Sequence, residues 1–206
     1  MPVITSHDLR ELAELEEDIA DSLKNNGKVM SKIAKLEDRL ANGYKSYRKD
    51  LREHRELTRK RLQKMEDLKR SKVGVVTDEE LSQYAAEVQD IEDTMKKIDI
   101  LYDALKELSG AKDHIYETIK DYTDELKEAA GLRKDIVSID EKIEKERESN
   151  YAADRMNKME IKKQEIEREY QRAKKNVLKK KDYLEDERED LRHLWDKLRE
   201  SIEPIL

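Results

Sequence analysis

The chain contains no cysteine and no phenylalanine, and only one tryptophan, two prolines and five glycines among 206 residues. Without cysteine there are no disulfides and no thiolate chemistry, which is consistent with a reducing, cytoplasmic setting. Without phenylalanine, and with 36% hydrophobic residues overall, a compact core of large side chains is excluded, because too little apolar mass is present per residue. The scarcity of glycine and proline leaves few places for the chain to turn. No apolar run approaches the ~20 residues of a membrane-spanning helix, and no N-terminal signal peptide is visible. The Met1-Pro2 start and the Glu203-Pro204-Ile205-Leu206 end fit an excised domain of a longer chain equally well.

What fills the chain is charge. Asp, Glu, Lys and Arg make up 46% of it, with a formal net charge of −6. Such a composition belongs either to disorder or to long helices and coiled coils, and the periodic placement of the apolar residues selects the helical reading. From Met156 to Ile202 apolar residues recur at Met159, Ile166, Tyr170, Ala173, Val177, Leu184, Leu191, Leu194 and Leu198, in steps that sum to sevens. This is the narrow seam of a helix that packs along other helices.

The same period predicts a first helix over about 7–72, with Thr5 or Ser6 as its cap and a seam of Leu9, Leu12, Ile19, Leu23, Met30, Ile33, Leu40, Tyr44, Tyr47, Leu51, Met65 and Leu68. Two Asn-Gly steps, at Gly27 and Gly43, keep the heptad phase, so they read as weak spots or kinks rather than reversals. The first turn falls at 71–76. Thr77-Asp78-Glu79-Glu80 then forms a capping box that starts a second helix over 78–148. Its seam runs through Leu81, Tyr84, Ile91, Ile98, Leu108, Ile115, Ile119, Leu126, Ile136 and Ile143. A second turn near Ser149-Asn150 leads to a third helix over 152–203, which must end before Pro204. Short connections make successive helices antiparallel. The expected fold is all-α: one elongated, antiparallel three-helix coiled-coil domain over 1–206, dimeric through its apolar seams with itself or with a relative.

The charges test that topology. Residues 45–72 carry twelve basic and five acidic side chains, whereas 78–108 carry three and ten. Folding about Gly74 sets these blocks side by side, with acidic 182–203 level with them. Basic 155–181, with eleven cations against four anions, meets acidic 8–21, with one against seven. Exposed pairs contribute only ~0–1 kcal/mol each, so the match bears on register more than on stability.

No enzyme is expected. The four histidines are scattered, no glycine loop could cradle a phosphate, and no nucleophile–base grouping or metal-ligand cluster is visible, so neither a cofactor nor a metal is implied. Asn26 and His54 fall on apolar-seam positions of the first helix and read as register-setting residues, with pH sensing by His54 as the alternative. The basic faces, Arg52, Arg55, Arg59 and Lys60 on the first helix and Lys174, Lys175, Lys179, Lys180 and Lys181 on the third, are candidates for binding anionic lipid headgroups. Solvated or internally paired charge is the competing reading. Nucleic acid is a poor fit, because aromatic residues do not interleave with the basic ones.

Three long helices, capped turns and basic stretches together resemble a BAR-type membrane-curvature module. The run Tyr122–Asp135, the charged tip and the Glu/Lys/Arg-rich helix Met156–Ile202 are most similar to the second and third helices of sorting-nexin BAR domains. The resemblance implies a crescent-shaped dimer, peripheral on membranes, that senses or bends anionic bilayers through basic residues on its concave face and tip. The alternative is a structural coiled-coil scaffold or spacer that docks other proteins.

Overall fold

A computed structural model describes residues 5–71, 76–148 and 153–203. It contains three helices, α1 (Ser6–Arg70), α2 (Asp78–Glu148) and α3 (Ala153–Ile202), and no strand among the described residues. The turn expected at 71–76 lies largely outside the described residues, and the one near Ser149-Asn150 lies wholly outside them.

Both described helix starts are capped. The Thr5 hydroxyl accepts from the Asp8 backbone N–H (3.2 Å), while the Asp8 carboxylate accepts from the Thr5 N–H (2.7 Å). Thr77 and Glu80 make the same reciprocal pair at 3.2 and 2.9 Å, which is the capping box anticipated at α2. These bonds satisfy backbone donors that a helix start leaves open. They also hold the Asp8 and Glu80 carboxyls below their ordinary range, chiefly through the backbone hydrogen bonds from Thr5 and Thr77.

Contacts divide the chain into two compact units. The first comprises Met1–Lys32 and Lys112–Leu191. In it, Arg10 pairs with Glu141, Glu17 with Lys134 and Asp21 with Lys127, so partner numbers on α2 fall as those on α1 rise. Asp140 pairs with Lys163, Asp121 with Lys180 and His114 with Glu187, which runs α3 antiparallel to α2 as well. The core is built on α2. Ile115 and Ile119 are buried with Leu184 of α3, and Leu23, Met30, Tyr122 and Leu191 close around them. Each such buried side chain contributes roughly 1.5–3 kcal/mol.

The second unit comprises Ile33–Ala111 and Arg192–Leu206. Asp38 pairs with Lys106, Arg48 with Asp99, Arg59 with Glu92 and Lys69 with Asp78, again antiparallel. The last three are pairs between the basic block 45–72 and the acidic block 78–108, while Asp38–Lys106 lies beyond the basic block with the charges reversed. Ile91, Met95, Ile98, Leu108 and Leu198 are buried here.

The seam of α1 differs from expectation. Leu12, Ile19, Ile33, Leu40, Tyr47 and Leu68 are exposed, while Leu9, Leu23, Met30, Tyr44, Leu51 and Met65 are half-buried. The fully buried line is instead Ala13, Ala20, Gly27, Ala34 and Ala41, five small residues spaced by sevens. Small side chains bring helix backbones to the short end of the usual ~8–10 Å separation. In the second unit this approach lets the buried Ser109 hydroxyl donate to the Ala34 carbonyl at 2.9 Å. In the first, a Cβ on Gly27 would stand 3.1 Å from both Ile119 and Tyr116. Gly27 is therefore a packing position in an unbroken helix and not a weak spot. With α1 seated on its alanines, the residue before each of Ala13, Ala20, Ala34 and Ala41 is rotated out of the contact.

The seams of α2 and α3 are as expected. Every anticipated position on α3, from Met159 to Leu198, is buried or half-buried, and so is every one named on α2.

Candidate functional site: two helix faces

Two surfaces stand out, one basic and one apolar. Among the candidate cations of the second unit, Arg55 reaches Glu56 (3.0 Å) and Glu92 (3.6 Å), and Arg59 also pairs with Glu92. Arg52 and Lys60 are exposed and carry no ion pair among the described residues. In the first unit Lys180 is held by Asp121 at 2.6 Å and Lys181 by Glu185 at 3.4 Å. Lys174 is exposed but close enough to Glu16 to act on its charge. Lys175 and Lys179 are exposed and carry no ion pair among the described residues.

Acidic 8–21 meets α2 far more than α3. Glu16 takes a bond from Arg133 (2.8 Å), Glu17 from Lys134 (2.8 Å), and Asp21 from Lys127. The anticipated neutralisation of the α3 lysines by that block thus reduces to the Glu16–Lys174 interaction. Sequence reasoning also passed over Arg168 and Arg172. Together with Lys175 and Lys179 they are spaced four, three and four residues apart, which places all four on one face of α3. All four are exposed and none has an ion pair among the described residues. Their shared face is written in the spacing of 168, 172, 175 and 179, beside the denser cluster Lys179–Lys181.

The charged group at the junction of the three helices in the first unit is internally satisfied. Arg133 donates to Glu16 and to the Tyr170 hydroxyl and lies 5.3 Å from that ring. Burial pushes the Glu16 carboxyl up, against the opposing pull of Arg133 and then Lys174. A shallow groove of about 650 Å³ opens beside it, lined by Leu9, Ile136, Tyr170, Arg168 and Arg172 among others. No group of three metal-binding side chains is present among the described residues. No helix there is long and apolar enough to cross a membrane.

The apolar surface lies on α1. In the first unit Leu12, Leu15, Ile19 and Val29 are exposed, and in the second Ile33, Leu36, Leu40, Tyr47, Leu57 and Leu68, each by 41–66%. These are all of the exposed large hydrophobics of α1, and all ten fall on two heptad positions, the 12-19-26-33-40-47-54-61-68 line and the 15-22-29-36-43-50-57-64 line. Single exposed leucines are ordinary, but a periodic row of them is not. Asn26 and His54 sit on this outward line rather than in the packed seam. The His54 ring nitrogen Nε2 is 3.1 Å from Glu87. Trp195, on α3 of the second unit, is half exposed.

Comparison of the chain with protein-family models, with curated proteins and with solved structures finds no match.

Proposed function

We propose that the protein is an elongated, BAR-like dimeric module that binds anionic membrane surfaces through basic helix faces, as a peripheral protein on the cytoplasmic side. The observation that carries this reading is the α3 face of Arg168, Arg172, Lys175 and Lys179, four cations in helical register and without carboxylate partners among the described residues. Each basic residue near an anionic leaflet contributes about 1 kcal/mol, so one such face supplies roughly 4 kcal/mol, and a dimer doubles the faces. Lys180, Lys181, Arg55 and Arg59 contribute less, since each must first leave a carboxylate.

The test is co-sedimentation with phosphatidylserine-containing vesicles. Binding should fall as salt rises and should drop strongly in the Lys175→Glu/Lys179→Glu variant, while a Lys180→Glu variant changes it less. No binding at low salt would remove the reading. A second reading, a coiled-coil scaffold without affinity for lipid, is favoured by the apolar rows on α1, which suit another helix better than a bilayer. It predicts helix-mediated association that is indifferent to vesicles.

A further inference from the structure

We infer that the outward apolar row of α1 from Leu12 to Leu36 is covered by α1 of a second copy, running antiparallel about a two-fold axis level with Lys24. This names the partner surface for the dimeric part of the reading above and rests on that part alone, since the basic face lies on α3. An antiparallel helix pair brings together residues whose numbers have a constant sum. For a sum of 48, Leu12 faces Leu36 of the second copy, Leu15 faces Ile33, and Ile19 faces Val29. The polar residues of the row then meet each other, Ser22 facing Asn26, at the centre where a polar layer sets register. Apolar meets apolar and polar meets polar in every layer from 12 to 36.

The flanking charges agree with the same axis. On the side of the row away from the alanine line, flanking residues meet with an offset of two, so that their numbers sum to 50: Glu11 comes beside Arg39 of the second copy, Asp18 beside Lys32, and Asn25 beside its own counterpart, about 3 Å apart along the axis. All four charged residues are exposed and have no ion pair within the chain among the described residues. Two-fold symmetry doubles the match to four attractive pairs.

Other alignments lose both agreements. A slip of one heptad sets Asn26 against Val29 and Ser22 against Ile33, burying polar groups without partners. A parallel, in-register pair stacks Asp50, Arg61 and Lys64 each on its own copy within the row, and sets Glu11 beside Glu16. Like charges so placed are repulsive.

Because the protein has no cysteine, single cysteines report the pairing directly. Asn25→Cys should be joined to its counterpart by a short bis-maleimide, whereas Ile33→Cys should not, since the two Ile33 sites stand about 27 Å apart in this arrangement. Sedimentation equilibrium supplies the second arm. Asp18→Lys should weaken association about tenfold, and the double exchange Asp18→Lys/Lys32→Asp should restore it. Circular dichroism checks that these exposed substitutions leave the helices formed. A monomer at all concentrations, crosslinking at Ile33 but not at Asn25, or a double exchange no better than the single one would each overturn the inference. The vesicle test with Lys175 and Lys179 reads the membrane proposal separately, so failure of either is recognised without the other.

Discussion

α1 and α2 meet in both units, yet they bring opposite kinds of side chain to the contact. α2 buries its bulk: Ile115, Ile119 and Leu126 in the first unit, and Ile91, Met95 and Ile98 in the second. α1 fully buries only small residues along its contact line, alanines and Gly27, half-buries Leu9, Leu23 and Leu51 beside them, and leaves Leu12, Leu15, Ile19, Ile33, Leu36 and Leu40 exposed. The difference is between a helix whose apolar surface is consumed inside one chain and a helix that carries two heptad rows, one for its own chain and one left over. The part of that row from Leu12 to Leu36 is the surface the proposed pairing of two copies would cover.

Substitutions at the two kinds of position should separate most widely in the first unit. Ile119→Ala removes a side chain only 1% exposed at the centre of the core and should cost about 2–5 kcal/mol, through lost transfer energy and the cavity left behind. Leu15→Ala, at a residue 54% exposed, should change the unfolding free energy of a dilute sample by less than about 0.5 kcal/mol. Equilibrium urea unfolding of the two variants measures the gap. Equal losses would mean that the outward row is already covered within the chain.

The same contrast explains what could be read from the residues alone. Along α2 and α3 the apolar side chains that recur at sevens are the packed ones, while Ile100, Ile161, Leu178, Tyr183 and Trp195, which fall off that spacing, are exposed, so tracing the period finds the true contact. On α1 that rule is half right: Leu9, Leu23, Met30, Tyr44, Leu51 and Met65 flank the contact, whereas Leu12, Ile19, Ile33, Leu40, Tyr47 and Leu68 are exposed, because the contact is centred on small residues. Ala13, Ala20, Ala34 and Ala41 are small enough to pass as filler, and only their strict spacing with Gly27 marks them. Gly27 itself was ambiguous, since an Asn-Gly step has the chemistry of a turn and only the facing Ile119 and Tyr116 make it a close-packing site. The capping box at Thr77 was legible because both of its partners are local. Which basic residues stand free was not, because Lys180 and Arg59 find their carboxylates on another helix.

Glycine offers a smaller version of the comparison. Gly43 lies within α1, with nothing within 4 Å of where a Cβ would stand. Gly43→Ala should therefore raise stability by roughly 0.4–1 kcal/mol, through helix propensity and a less free unfolded chain. Gly27→Ala gains the same propensity but must press Ile119 and Tyr116 at 3.1 Å. Its net gain should fall below that of Gly43→Ala, and thermal unfolding of both variants shows the order. A larger gain at Gly27 would mean that the helices there are not held at close approach.

Acidity gives the finest separation, because two carboxylates five residues apart on α1 should respond to it in opposite directions. Asp21 is exposed, and the hydrogen bond from Lys127, assisted by that cation's charge, holds its carboxyl below the ordinary 3.8. A lowered folded value contributes stability that is present above 3.8 and lost as pH falls through the folded value. Glu16 is pushed above the ordinary 4.5 by burial. Its charged form is disfavoured in the fold, so its contribution improves as pH falls through the raised value toward 4.5. The difference in unfolding free energy between the wild type and Asp21→Asn should therefore shrink on acidification. The difference between the wild type and Glu16→Gln should move in the wild type's favour, and at higher pH. Two curves that move together would show that Glu16 is not desolvated between Arg133 and Lys174, and that α1 presents one uniform acidic edge instead of a buried and an exposed one.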